Sequence, residues 1–586
     1  MCGIYLSLSN TGHILPSGTI QRRLRSRGPD SSKTVHSVSW RKDSDGHAVA
    51  TNVTQLSTVL SLRGADVVAQ PYEGLDEHFT LCWNGEAWCI DGLPVLHNDT
   101  TAMHDHLQKA LDSEGPDSND PTDGARVIAA ALARVHGPYA FVLYDARLQR
   151  IFFGRDFLGR RSLCAGKISD QGLILSSVPD LHLTSVWTEI EADGVYCIDL
   201  SRSTDLNRQA AHGTMCSLEG FVTFNVPYAI NIGPLASLKA ERIFSLNKTI
   251  DIVGAPLDIQ SPSVQSLEAL LRESISLRLR DLPQSPSSED GGSPLAVLFS
   301  GGLDCSVLAR MCHDLLPTCD PIDLINVAFE NPRVHGRTQS SNGGTYELCP
   351  DRMTGWTSLA ELERMCPGRV FRFVLINIPH SEVQAHRDEI VSLMHPHNTE
   401  MDLSIALALY FAARGSGFVS RAGGGGLDAY RTPAKVLLSG LGADELFGGY
   451  MRHARAFERN GLTGLLDELE LDIGRLAKRN LGRDDRVTSN WGREVRYPYL
   501  DEKLLDWALK ASVPEKCGFG EQQGRIRPEQ ANDAGITLEP GKKVLRCLAL
   551  KLGMEVVAKE KKRAIQFGAR TAKMSMRKTK GTDAVA

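Results

Sequence analysis

The sequence predicts two unlike halves, a strand-rich first half and a second half in which strands and helices alternate. Three observations carry that reading. Residues 1 to about 200 break into short β-type segments divided by Gly, Pro, Asp and Asn, as at 81–83, 140–144, 151–154 and 172–176. From about Ser263 helical spacing sets in at 264–279 and returns at 307–315, 403–413 and 462–481. Apolar runs at 295–299, 324–329 and 436–438 fall between those stretches, and such alternation predicts a parallel sheet with helices on both faces.

Within the first half, 124–136 reads as a helix after a polar loop at 113–123, and 201–261 reads as a mixed connection. The expected division is therefore 1–205, a connecting segment 206–262, and 263–586. Stretches 335–349 and 422–427, the latter with four consecutive Gly, read as loops.

Composition narrows the function classes. With 586 residues, 42% apolar and 23% charged, the chain is long enough for several packed domains. Its 65 Lys plus Arg against 70 Asp plus Glu leave a net charge of -5, which argues against nucleic acid as a partner. No window reaches the roughly 18 apolar residues of a membrane helix, and the opening residues do not read as a signal peptide. Thirteen scattered Cys, without a CxxC pair or an HExxH, fit a reducing compartment, so a cytoplasmic protein is expected.

The chain opens Met1-Cys2-Gly3-Ile4. Removal of Met1 would leave Cys2 with a thiol and a free α-amine, a nucleophile and a base on one residue. An amide-cleaving thiolate also needs an oxyanion hole, which the side chain of Asn84 and the backbone N–H of Gly85 offer. Arg63 could clamp an α-carboxylate, and Asp99 or Glu86 could hold an α-ammonium. In order, Cys2-Gly3-Ile4, Arg27-Gly28-Pro29-Asp30, Ala69-Gln70-Pro71, Asn84-Gly85-Glu86, Asn98-Asp99-Thr100, Gly137-Pro138-Tyr139-Ala140-Phe141 and Gly154-Arg155-Asp156-Phe157-Leu158-Gly159-Arg160-Arg161 resemble the glutaminase domain of class II glutamine amidotransferases. That resemblance implies a four-layer αββα N-terminal-nucleophile domain that hydrolyses glutamine through a thioester on Cys2. It implies Arg63, Asn84, Gly85, Glu86 and Asp99 as glutamine-binding residues. The family's NGEIYN segment departs here to Asn84-Gly85-Glu86-Ala87-Trp88-Cys89.

In the second half, the apolar run 295–299 passes straight into Ser300-Gly301-Gly302-Leu303-Asp304-Cys305-Ser306 and a helix. Strand, glycine loop and helix start form an anion-holding geometry, and Asp304 is placed to ligate a Mg²⁺ that bridges phosphates. GxxxxGK[ST] and GxGxxG do not occur. The loop resembles the PP-loop of ATP pyrophosphatases. With Ser439-Gly440-Leu441-Gly442-Ala443-Asp444-Glu445 and Glu494-Val495-Arg496-Tyr497-Pro498-Tyr499-Leu500-Asp501 the resemblance narrows to the asparagine synthetase family. Phe153 to Ser162, Asn480-Leu-Gly-Arg-Asp-Asp-Arg486 and Lys562-Arg-Ala-Ile-Gln-Phe-Gly568 are similar to its divergent branch of asparagine synthetase domain-containing proteins.

The resemblance implies a parallel-sheet PP-loop α/β domain with ATP and Mg²⁺ as cofactors. Phe299, Val327, Ser439 and Gly440 would contact ATP, Ser300, Gly301, Gly302 and Ser306 would hold its phosphates, and Asp444 would join Asp304 at the metal. It implies glutamine, aspartate or another carboxylate, and ATP as substrates, with ammonia from Cys2 amidating an aspartyl-adenylate.

Three departures stand against full activity. Cys305 replaces a Ser of the loop, Leu441 replaces a carboxylate tied to the aspartyl-adenylate, and Ala564 replaces a lysine whose charge Lys562 and Arg563 sit close enough to supply. Two alternatives follow: a reduced scaffold or bare glutaminase with a regulatory or partner-binding role, or an amide ligase for a different carboxylate. Elsewhere, His104 and His106 read as surface residues, Cys305, Cys312 and Cys319 as one helical face, and 559–580 as a solvated basic segment.

Overall fold

The computed structural model describes residues 1–585 apart from 43–44, 65, 76–77, 116–119, 121, 169–171, 185, 202–213, 219–220, 229–245, 251–255, 284–291, 336–343, 422–424, 522–536 and 575–579. Its first half packs two six-stranded antiparallel sheets face to face. One runs Trp187–Glu189, Cys164–Ile168, Gly172–Ser176, Gly3–Ser9, Ala48–Val59, Ser31–Lys42; the other runs Thr214–Leu218, Phe221–Pro227, Gly194–Asp199, Arg150–Arg155, Tyr139–Asp145, Phe79–Gly85. Ile4, Leu6, Leu8, Val53, Val142 and Phe153 interdigitate between them. Helix Gly18–Arg27 covers the first sheet, and Asp99–Glu114 and Asp123–Leu132 cover the second, so the four layers are αββα.

Two sequence expectations shift. Phe221–Pro227 pairs with Gly194–Asp199, so the first sheet system reaches into the segment 206–262 expected to be connection. The expected helix 124–136 ends at Leu132, and Val135–His136 forms a short strand of a small third sheet.

In the second half a seven-stranded sheet runs Leu427–Arg431, Ser416–Ser420, Phe371–Ile378, Ile322–Phe329, Leu295–Leu298, Val436–Leu438, Glu494–Arg496. The last five strands in that order are parallel, and an antiparallel hairpin closes the other edge. Every residue of Ile322–Phe329 is buried, as a strand covered on both faces requires. Leu295–Leu298 has Ile322–Phe329 on one side and Val436–Leu438 on the other, and the chain adds later strands outward from it in both directions. Ligands in open α/β sheets bind outside the carboxyl ends of strands at such a switch point.

Candidate active sites

Cys2 sits at the head of the first strand. The Arg27 Nε donates to its carbonyl (3.3 Å), and the Gln70 amide lies 3.8 Å from its sulfur. Gln70 is itself fixed, accepting from Trp83 N (2.7 Å) and donating to Thr100 Oγ1 (2.9 Å). Cys2, Arg63, Gly85, Glu86 and Asp99 line one small cavity of about 20 Å³, with Met1 and Glu494. That volume holds about one water. Asn84 is buried beside it, not in its lining, and neither its amide nitrogen nor its oxygen has a hydrogen-bond partner.

The charges in this pocket neutralise one another. Arg63 donates to Ala87 O (2.9 Å) and Val95 O and faces Glu86 at 3.9 Å, so its guanidinium is tied to backbone. Asp99 accepts from Trp83 Nε1 (3.1 Å) and Ala87 N (3.0 Å). Burial raises the Asp99 carboxyl, burial and nearby Glu494 raise Glu86, and burial raises the Cys2 thiol against the pull of the neighbouring ammonium. Burial also lowers the Met1 amine to about 6.

The walls of the pocket belong partly to the second half of the chain. Arg496 donates to Glu86 (3.2 Å) and to Glu494 (2.6 Å), and its guanidinium lies 4.8 Å from the ring centre of Trp88. Arg27 pairs with Asp485 at 3.0 Å with both side chains fully buried. Arg160 bridges Asp156 (2.9 Å) and Glu502 (2.6 Å), Arg161 meets Glu494 (3.2 Å), and Arg486 meets Glu189 (2.6 Å). The arginine-rich motifs at 153–162 and 480–486 thus form the seam between the halves. Gly482 gives the pair room, since a Cβ on it would lie 1.7 Å from a Glu189 carboxylate oxygen and push that carboxylate aside.

A second cavity, of about 550 Å³, opens at the switch point. This falls in the usual range for small-molecule sites. Phe299, Ser300, Gly302, Asp304 and Val327 line it from one side of the sheet, and Ser439, Gly440, Asp444, Lys562 and Arg563 from the other. Gly301 and Ser306 stand behind the lining. Gly301 has φ +78° and packs its Cα face on the helix Pro350–Met365, where a Cβ would lie 2.5 Å from Gly355 N. Ser306 Oγ is buried without a partner. The Cys305 thiol turns back onto the Gly302 carbonyl (3.3 Å).

Asp304 and Asp444 converge. The Lys542 ammonium lies 2.8 and 2.9 Å from the Asp304 oxygens and 2.8 Å from Asp444 Oδ1, and Lys562 bonds Asp444 Oδ2. Against burial, these two lysines hold Asp444 far below the ordinary carboxylate range. Two carboxylates that meet on one cation fit a hard divalent ion. Among the described residues no group of three or more His, Cys, Asp or Glu forms a metal site, so the further ligands of such an ion would be water or substrate oxygens.

The family pattern described as Glutamine amidotransferase domain matches residues 1–212, and that described as Asparagine synthase matches 427–467 and 457–579. Asparagine synthetase domain-containing protein 1 of Bos taurus is 32% identical over 96% of this chain and 93% of its own length. Its Homo sapiens namesake is 30% identical over 100% and 97%. The chain belongs to the asparagine synthetase domain-containing protein family. Asparagine synthetase [glutamine-hydrolyzing] 1 of Saccharomyces cerevisiae is a more distant likeness, 23% identical over 90% of this chain and 78% of its own.

Within this family member, sequence reasoning missed Lys542, Gln70, Glu494 and Arg496 as pocket residues. Gln70, Glu494 and Arg496 lay inside quoted motifs and so had a signal; Lys542, next to Lys543 in a polar stretch, had none. His104, read as a surface residue, is buried with Nε2 3.1 Å from the Phe79 carbonyl, because its ring packs edge-on against Tyr72 and Phe79. Cys305 and Cys312 are buried on the helix Leu303–Leu315, whereas Cys319 lies beyond its end and is exposed.

Proposed function

We propose that this chain couples glutamine hydrolysis at Cys2 to ATP-driven amidation of a carboxylate in the larger cavity. One observation supports this above the others. The strand Glu494–Arg496 borders both pockets: Glu494 lines the cysteine cavity, Arg496 holds Glu86, and the Arg496 carbonyl accepts from Ser439 N (3.0 Å) at the rim of the nucleotide cavity.

In this reading the Cys2 thiolate attacks the glutamine γ-carbonyl, ammonia leaves, and water cleaves the thioester. Met1 lines the pocket, and its removal would free both space and an α-amine on Cys2. Arg63, Glu86 and Asp99 would hold the amino-acid end, and Asn84 with Gly85 would receive the oxyanion. The unpartnered Asn84 amide supports that role.

At the second site an acceptor carboxylate oxygen attacks the α-phosphorus of ATP and pyrophosphate departs. The lone pair of ammonia then attacks the acyl carbon, a proton is lost and AMP leaves. Phe299, Val327, Ser439 and Gly440 would seat the nucleotide, and Ser300, Gly301, Gly302 and Ser306 its phosphates. Mg²⁺ on Asp304 and Asp444 would offset charge on the departing pyrophosphate. Lys562 and Arg563 supply cations where Ala564 has none. A scaffold or bare glutaminase is favoured by Leu441, which lines the cavity where the resembled family carries a carboxylate.

The full chain without Met1, given glutamine, Mg·ATP and an acceptor, tests the proposal. Glutamate, pyrophosphate and amide formed in step support it; glutamate alone leaves a glutaminase.

A further inference from the structure

The larger cavity runs past the nucleotide residues to a wall made by one stretch of chain. Arg475, Arg479, Asn480 and Arg483 line it. The stretch leaves helix Met451–Gly474, passes through a π-helical turn, Ala477–Leu481, and enters helix Gly482–Ser489. Such turns are rare and gather at functional sites. This one is pinned to the body: His397 donates from Nε2 to the Lys478 carbonyl (2.8 Å), and its Nδ1 accepts from Arg486 (3.3 Å).

Every acidic residue that lines the cavity has a partner. Asp304 and Asp444 have Lys542, and Asp351 faces Arg563 at 3.8 Å. Asp402 and Asp484 share Arg483 (2.7 and 2.8 Å), and Asp472 has Arg452 (2.6 Å). Glu445 accepts from Tyr450 Oη (2.6 Å) and Gly442 N (3.2 Å). Each is thus already engaged by a cation or a hydrogen-bond donor, and Leu441 offers no carboxylate to an ammonium group. The guanidinium groups of Arg475 and Arg479, four residues apart, have no carboxylate, carbonyl or ring partner among the described residues. A free guanidinium pair beside a nucleotide site matches a carboxylate or phosphate.

We infer that the acceptor is an acid with at least two anionic groups and no ammonium: one carboxylate is activated by ATP, and the second anion, a carboxylate or phosphate, is gripped by Arg475 and Arg479. The inference rests on the amidation reading above, and aspartate, which carries an ammonium, is then a poor acceptor.

Calorimetric titration of the full chain loaded with Mg²⁺ and α,β-methylene-ATP is the test, with aspartate, malate, citrate and 3-phosphoglycerate as probes. Malate differs from aspartate in carrying hydroxyl for ammonium. Malate, citrate or 3-phosphoglycerate should bind about tenfold or more tighter than aspartate, and the tightest probe tells carboxylate from phosphate. The double variant Arg475→Gln/Arg479→Gln should lose about tenfold in affinity for that probe while its nucleotide affinity stays unchanged, and Leu441→Glu should shift the preference toward aspartate. Aspartate binding as tightly as malate, no probe binding, or a double variant equal to the parent overturns the inference. Pyrophosphate release with ammonium chloride in place of glutamine separates the two readings. Probe binding without release would sink the amidation proposal and leave the dianion site standing.

Discussion

The two cavities differ in how their charges are settled. The cysteine pocket has room for about one water, and its Arg63, Glu86, Asp99, Glu494 and Arg496 are buried and neutralise one another or the backbone. The cavity at the switch point is far larger, and beside its paired residues it carries two arginines without a partner among the described residues and a seat shared by two lysines and two aspartates. In the proposed reading, a closed, neutralised pocket would suit a small zwitterion once Met1 is removed. An open cavity with surplus cations suits a polyphosphate and an anionic co-substrate.

The largest test of that contrast removes the nucleophile. Cys2→Ala should lower glutamine hydrolysis on the order of 10³-fold or more, while pyrophosphate release driven by added ammonium chloride stays within about twofold. Steady-state assays of glutamate and pyrophosphate on the same preparation read both. Equal loss of the two activities would mean that the pockets are not chemically separate.

The seam between the halves is tested next. Arg486→Ala leaves the buried Glu189 carboxylate to Arg155 alone (3.6 Å) and should cost about 3 kcal/mol in urea-induced unfolding. Acid titration probes the same pair more gently. Against burial, Arg155 and Arg486 hold Glu189 down to about 2 from an ordinary 4.5. Between those values the unfolded chain binds the extra proton, so this contribution is full above pH 4.5 and is lost as pH falls toward 2. It is worth about 3 kcal/mol. Glu189→Gln should flatten that part of the stability-against-pH curve; an unchanged curve would show that the pair does not hold the halves together.

What the sequence made legible follows from where the chemistry is local. Gly85 and the loop from Ser300 to Ser306 are placed by backbone geometry within a few residues, and strand, glycine loop and helix appear in the expected places. The strands Phe371–Ile378 and Glu494–Arg496 were not foreseen. The first alternates with charge at Arg372, and the second is only three residues long. Lys542 and Glu494 reach their pockets through contacts hundreds of residues distant in sequence, which no local spacing encodes. The arginine motifs were visible as strings but not as a seam, because Arg27, Arg160, Arg161 and Arg486 each have a partner carboxylate in the other half.

The smallest expected effect lies in the phosphate loop, and it asks whether the open cavity is weak by composition or by design. Cys305 lines the cavity, yet its thiol is spent on the Gly302 carbonyl, and burial raises its pKa further from any anionic role. A thiol is a poor donor to phosphate beside a hydroxyl. Cys305→Ser should therefore tighten Mg·ATP binding by about 1 kcal/mol, roughly fivefold, with little change in stability because the side chains are nearly equal in size. Calorimetry on the parent and the variant reads the difference. A variant that binds no tighter would place the limit on nucleotide affinity elsewhere, with the Lys542 ammonium between Asp304 and Asp444 as the next group to remove, since it must shift before a divalent ion can share both carboxylates.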